Sequence, residues 1–284
     1  MMATYVSTRA AMWKRFRRNR LALAGLVIVG LLAAAAVAAP VLAPRDPARQ
    51  VLEDKRMPPG ARYWLGADEF GRDIASRLIY GSRVALVVGA ISVLIALVLG
   101  TLLGTAAGYL GGAADEAIMR ALDVLLAFPY LLLAIAIVSA LGPGLENTIL
   151  AVGIWATPGF ARVVRGSVLV VKEQEYVAAA RAIGAGTARV VARHVLPNCV
   201  SILIVYSALY MASAILLEAA LSFLGLGIQP PMPSWGLMVS TGRDFLTIAP
   251  HIATFPGLAI ALAVLGFNLL GDGLRDALDP RLTV

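Results

Sequence analysis

Long apolar runs alternate with short polar segments along the chain. Six runs reach or approach the ~20 residues a helix needs to cross a hydrocarbon core of about 30 Å. They cover residues 21–42, 84–107, 121–141, 148–164, 200–224 and 248–270, the fourth being the shortest. Gly and Ala recur within them, as at Gly89, Gly100, Gly104, Gly153, Ala212 and Ala214. Such residues weaken helices in water but let helix backbones approach closely in lipid; a general alanine richness is the plain alternative. No strand pattern appears, so the expected fold class is all-α, a polytopic membrane protein with six transmembrane helices.

The polar segments carry their own signals. Asp73 is placed to cap a short helix whose apolar positions Ile74, Leu78 and Ile79 recur at helical spacing. This helix is expected at the membrane interface, with Tyr63, Trp64 and Tyr80 as interfacial aromatics. Residues 108–112 break the chain between the second and third runs. Pro129 is expected to kink the third span or to start its main section. Gly142-Pro143-Gly144 predicts a tight turn, and residues 225–242, with Pro230, Pro231 and Pro233, a second loop.

Composition agrees with a life in lipid. The 284 residues are 60% hydrophobic and 14% charged, with mean hydropathy +0.82. A soluble domain is about a quarter charged, so a soluble globular enzyme is excluded. The single cysteine, Cys199, allows no intrachain disulfide. His194 and His251 are far apart and show no ligand spacing, so no metal site is expected. The net charge of +7 fits basic flanks facing anionic headgroups better than nucleic acid, and no nucleic-acid partner is expected.

Charge also orients the chain. Residues 1–20 hold six Lys/Arg and no acid, which predicts a cytoplasmic basic tail on the inner leaflet. The first run is too long for a cleaved signal and ends at Pro40 and Pro44, so it reads as an uncleaved anchor over residues 21–43. Residues 44–82 then form an external loop with the interfacial helix, 83–273 a five-helix core, and 274–284 a cytoplasmic C-terminus. One tension stands in this topology: residues 45–83, assigned outside, carry eight Lys/Arg against six Asp/Glu.

Residues 165–198 form a basic loop on the cytoplasmic side. Helix formers run from Glu175 to Ile183, Gly184 and Gly186 permit a sharp turn, and Thr187 can cap a second short helix before Pro197 leads into the fifth span. The loop thus predicts two short helices at an angle. One face of the first holds Tyr176, Val177, Ala180 and Ile183, where small side chains would admit a partner protein; an ordinary amphipathic loop resting on headgroups accounts for the pattern equally well.

Ala179-Ala180, three residues, Gly184, nine residues, His194-x-Leu196-Pro197 resembles the EAA loop of binding-protein-dependent ABC importers. The family pattern has Glu where this chain has Ala178 and Ile where it has His194. Three further segments resemble the C-type permease subunit of peptide importers. These are Trp64 to Arg83 with its Gly-Ala-Asp-Glu-Phe-Gly-Arg-Asp core; Ala107 to Gly112 with Met119-Arg120 and Ala127-Phe128-Pro129; and Glu218 to Gly227 with Pro231-x-Pro233-Ser234-Trp235-Gly236. The resemblance runs from about residue 12 to the C-terminus and implies the type I ABC importer permease fold.

The resemblance further implies a second homologous permease subunit, two ABC ATPase subunits that each receive an EAA loop, and an external substrate-binding protein. Its coupling residues map onto Glu175, Tyr176, Ala179, Ala180, Arg181, Gly184, Leu196 and Pro197. It implies short peptides as cargo, with nickel complexes, glutathione or certain sugars as alternatives. The chain has no G-x-x-x-x-G-K-[ST] segment and neither H-E-x-x-H nor G-x-S-x-G. It is therefore expected to be a transport subunit without catalytic residues or a cofactor, ATP and Mg being held by the partner ATPase.

Charges within the runs complete the picture, since each costs roughly 2.5–3.5 kcal/mol at mid-membrane. Glu218 is expected near the outer end of the fifth span, as a solvated helix end or as part of an outer gate or substrate path. Arg120 and Asp123 have the spacing to pair, Arg162 can snorkel, and Asn268, Asp272 and Arg275 would anchor the last span. A secondary carrier is the competing class, but neither an internal repeat nor a midplane charge cluster is present. For an embedded enzyme, Ser82, Ser167 and Ser222 have no neighbouring His.

Overall fold

The computed structural model describes residues 13 and 15–278, and among them every extended element is helical. Five helices are long and apolar enough to cross a bilayer, and a bent pair makes a sixth candidate span. The first is α1 (Arg20–Val37), capped by Asn19, whose Oδ1 accepts from Leu21 N and Ala22 N. Ala38 carries it into the short α2 (Ala39–Leu42). Most of the predicted tail lies outside the described residues; Phe16 packs on Ala22 and Ala277, and Trp13 stacks on Phe16 at 5.9 Å.

The expected interfacial helix is not a separate element. It is the first turns of α3 (Ile74–Leu110), which runs 37 residues without a break, about 55 Å. Asp73 caps it as predicted, accepting from Ser76 N at 2.8 Å. The helix continues because its polar first turns are packed against the preceding loop, with Ser76 and Arg77 buried.

The third span is also corrected. The chain forms α4 (Gly112–Leu126) and α5 (Tyr130–Leu141), bent by 90° at the 127–129 break. Pro129 stands at the N-cap of α5, so it starts that section. Alone, α5 covers about 18 Å. Arg120 pairs with Glu116 (2.8 Å), and Asp123 pairs across to Arg162 (2.6 Å), so the expected Arg120–Asp123 pair is not present. Asp115 and Arg165 make a second, two-pronged link at 2.5 and 2.6 Å.

The fourth span is α6 (Leu145–Val171), longer than predicted and with Pro158 inside. It lies against α3 over most of its length, and the reason is a run of small residues. A Cβ on Gly100 would meet Phe160 Cβ at 2.4 Å, on Gly104 the Ala161 oxygen at 2.3 Å, and on Gly108 the Arg165 oxygen at 3.0 Å. Spaced by four, these glycines let two backbones meet. Ser92 Oγ adds a hydrogen bond to Ile149 O at 3.0 Å.

The hairpin α7 (Glu175–Ala182) and α8 (Thr187–Val190) follows. A π-helical turn over Val191–Val195 joins α8 to α9 (Leu196–Phe223). The predicted second short helix is thus the leading end of the fifth span, and Gly186 stands at its N-cap in place of Thr187. A loop, α10 (Trp235–Gly242) and α11 (His251–Leu278) complete the chain. One core gathers α3, α5, α6 and α9 around Ala96, Val138, Val152, Phe160 and Leu217. A second, around Ile215, Trp235, Ile252 and Phe267, seats α10 and α11.

The 44–73 segment is irregular but closely knit. Arg62 pairs with Asp54 (2.7 Å), which also accepts from Tyr63 Oη (2.8 Å). Arg72 pairs with Asp68 (2.6 Å) and Glu69 (3.0 Å), and Arg77 approaches Asp68 at 3.5 Å. Tyr63 is therefore buried and not an interfacial aromatic, whereas Trp64 is 67% exposed. Burial pushes the Tyr63 phenol up, and the neighbouring Asp54 adds to it. These pairs give a physical reason for the basic residues of this segment: Arg62, Arg72 and Arg77 answer local carboxylates.

Candidate functional site

The α7–α8 hairpin owes its shape to Gly184. At the end of α7 this residue takes φ +84°, where a side chain is strained. Ala185 N then donates to Ala180 O (3.0 Å) and Gly184 N to Arg181 O (2.9 Å), the pair of bonds that closes a helix on a left-handed residue. The chain can turn there and start α8 after two more residues.

Apolar contacts fasten the hairpin to the bundle. Val177, Ala180, Val190 and Val195 are buried with Val164 and Val168 of α6 and Cys199 of α9. Two further links reach the end of α3: Lys172 Nζ donates to Gly108 O at 2.8 Å, and the Arg181 guanidinium lies 5.2 Å over the Tyr109 ring. Tyr176 sits 6.4 Å from His194.

This seating divides the face that sequence periodicity had offered to a partner. Val177 and Ala180 are turned into their own chain. Tyr176 (45% exposed) and Ile183 (87% exposed) point away, together with exposed Glu175, Ala179, Arg181 and Gly184. Leu196 is half-buried and Pro197 exposed at the other end of the hairpin. The open surface therefore combines Ala179, Ile183 and Tyr176, with Ala180 as an inward anchor. The sequence did not join Lys172, Gly108 and Tyr109 into this site, since only the folded chain brings residues 108–109 beside 172–181.

Glu218 lies elsewhere, in the last third of α9. It is 1% exposed, so the expected solvated helix end is not what forms. Its Oε1 accepts from Ser222 Oγ (2.8 Å), one turn on, and from Ser234 Oγ (2.9 Å) at the start of α10. Ser222 Oγ in turn accepts from Ile228 N at 3.1 Å, and Ser234 Oγ caps α10 at Leu237 N. One carboxylate thus ties α9, the 224–234 loop and α10. Trp235 closes the same corner: its Nε1 donates to Leu78 O of α3 at 3.0 Å. The partners Ser222 and Ser234 could have been suspected from the Glu218 to Gly227 and Pro231 to Gly236 motifs, but nothing local couples residues sixteen apart.

A family described as binding-protein-dependent transport system inner membrane component matches residues 100–284, and one described as the N-terminal TM domain of oligopeptide transport permease C matches residues 7–59. The chain is 49% identical over 272 residues to the glutathione transport system permease protein GsiD of Pectobacterium atrosepticum, covering 95% of this chain and 90% of that one. It is 48% identical over 284 residues to the di/tripeptide transport system permease protein DppC of Pseudomonas aeruginosa (98% and 94%). With the dipeptide transport system permease protein DppC of Alkalihalophilus pseudofirmus the identity is 46% over 279 residues (98% and 92%).

Proposed function

Because this chain belongs to the family of inner-membrane components of binding-protein-dependent transport systems, we propose that it is one half of an ATP-driven importer of short peptides. The chain is a membrane permease and not itself an ATPase. The observation that carries the cargo is near-full-length similarity to relatives named for dipeptides and for di- and tripeptides. The relative named for glutathione stays within this class, since glutathione is a tripeptide.

In this reading a second, homologous permease pairs with the chain and cargo passes between the two. Two ATPase subunits hold ATP and Mg, and an external binding protein delivers the peptide. Both termini and the α7–α8 hairpin face the cytoplasm, and the hairpin enters a cleft of one ATPase. The exposed Ala179, Ile183 and Tyr176 supply the contact, and the buried Val177 and Ala180 pass the displacement into α6 and α9. A seated hairpin with an open apolar tip suits such a lever better than a loop lying on headgroups.

The test is reconstitution of the full complex in vesicles with a labelled dipeptide. Uptake should require ATP and the binding protein, and a cysteine at Ile183 should cross-link to the ATPase. Proton-driven uptake without nucleotide, or a hairpin reactive only from outside, would overturn the reading.

A further inference from the structure

Aromatic rings gather half-way along the bundle, where no sequence motif points. Trp155 of α6 lies 5.7 Å from Tyr210 of α9, and Tyr206 stacks on Tyr210 at 5.8 Å and 25°. Phe160 backs the group at 5.0 Å from Tyr210, and Tyr130, at the start of α5, flanks Trp155 at 5.8 Å. Phe160 is buried, while Trp155, Tyr206 and Tyr210 are half-buried and Tyr130 is exposed. The three half-buried rings fall within about 6 Å, along the axis, of the midpoints of their helices.

That depth is the wrong place for such residues on a lipid-facing surface. Tyr and Trp collect at membrane interfaces because the polar tip needs water while the ring does not. In hydrocarbon an unmatched O–H or N–H costs several kcal/mol. The two fully buried aromatics with polar tips are matched, Tyr63 Oη donating to Asp54 and Trp235 Nε1 to Leu78 O, while the half-buried Tyr80 and Tyr109, whose hydroxyls make no hydrogen bond among the described residues, stand toward the two ends of α3. Among the described residues, no hydrogen bond ends on the Tyr206 or Tyr210 hydroxyl or on the Trp155 indole nitrogen, and none of the three is sealed inside the chain. The Tyr210 hydroxyl rests on the bare Gly159 of α6, while the open Tyr206 hydroxyl and Trp155 nitrogen, unmatched within one patch, call for a polar occupant.

The patch is also uncharged. Residues 148–161 and 200–217 contain no Asp, Glu, Lys or Arg. A surface of ring faces and hydroxyls can stack on amide planes, donate to peptide carbonyls and attract an ammonium terminus through its π-electrons. It does so without an ion pair that would hold one kind of side chain and reject another.

We propose that Trp155, Tyr206 and Tyr210 form a mid-depth contact surface for the peptide cargo, recognising backbone amide and ammonium groups common to all short peptides. This rests on the importer reading above. It places the translocation path along the α6–α9 face of this subunit and assigns side-chain selection to other parts of the assembly.

The test uses the complete transporter in vesicles, with Cys199→Ala as background. Single cysteines at Tyr206 and Trp155 are probed with a charged, membrane-impermeant methanethiosulfonate, with Leu31→Cys on the outlying α1 as control. Labelling at both sites is expected to be at least about ten-fold faster than at the control, and to slow when a saturating dipeptide is present with binding protein and ATP. In parallel, Tyr206→Phe removes one hydroxyl and little volume. Peptide uptake should fall several-fold while ATP hydrolysis by the complex is kept. Labelling no faster than the control would overturn the proposal, as would oxidative cross-linking of these cysteines to the second permease with no reaction toward the reagent. A transporter that ignores dipeptides would sink the importer's cargo, yet fast labelling would still show a wetted path at this patch.

Discussion

At residue scale, the buried Glu218 is the clearest case of a side chain whose role depends on what surrounds it. Its Oε1 takes two serine hydroxyls, and both serines hold a backbone N–H as well. Glu218→Ala would strand these hydroxyls at about 1–3 kcal/mol each and leave a cavity. Glu218→Gln keeps an acceptor oxygen in the same place. The expected result is a large loss of thermal stability in detergent for Ala and a near-wild-type value for Gln. Transport retained by Gln would mean that the carboxylate charge plays no part in the cargo path. Glu69 offers a complementary test on the 44–73 segment. Burial, ahead of the charge of Asp68, raises its pKa above the ordinary carboxylate range, and among the described residues its Oε2 has no partner. A raised folded-state pKa means that the proton is held more tightly in the native state. The group's stabilising contribution is present below the unfolded pKa and lost as pH rises through the folded one. Glu69→Gln should therefore stabilise the protein at about pH 7, with the gain shrinking toward about pH 4, as thermal melts at the two pH values would show.

At the scale of elements, α4 shows what a linear pattern does and does not reveal. The apolar run over residues 121–141 was legible as membrane-seeking, and Pro129 as a start or kink. The 90° turn was not, because its direction is set by residues far along the chain: Arg165 reaches Asp115 and Arg162 reaches Asp123. The two links are unequal. Arg162 and Asp123 are both more than half exposed, and such pairs contribute about 0–1 kcal/mol. Arg165 grips Asp115 with two parallel hydrogen bonds and is more enclosed, the geometry that holds a guanidinium in one orientation. Arg165→Ala should thus speed hydrogen exchange across α4 several-fold, whereas Arg162→Ala should leave it nearly unchanged. Equal effects would show that the bend is set by the 127–129 break alone. The same limit explains α3. Its glycines were legible as small residues, but that Gly100, Gly104 and Gly108 all face α6 follows only from the helix being continuous through them. In the hairpin, the Ala-Ala and Gly184 positions marked the site, while which of its residues face inward was decided by Val164, Val168 and Cys199 on other helices.

At the scale of the whole molecule, the proposed coupling role makes the hairpin the narrow place through which force from an ATPase would enter. It touches α6 and α9 through one apolar cluster and α3 through Lys172 and Arg181. The same three helices carry the main core, so in that proposal a push on the hairpin would act on them as a packed unit, with α11 packed on α9 and α1 on α11. Interiors this closely packed transmit displacement instead of absorbing it. This separates two substitutions that look alike in sequence. Val177 is fully buried in the hairpin cluster, so Val177→Asp puts a charge where nothing can pair with it and should unseat the hairpin, lowering thermal stability. Ile183 is 87% exposed, so Ile183→Asp should leave the isolated permease as stable as before. In the complete transporter its effect should instead fall on coupling: stimulation of ATP hydrolysis by loaded binding protein is lost, and peptide uptake drops at least about ten-fold. Measured together, melts of the permease and coupled uptake in vesicles distinguish a lever from a loop. If Ile183→Asp transports normally, the tip of the hairpin is not where the ATPase takes hold, and the connection must run through α8 and the exposed Pro197 end.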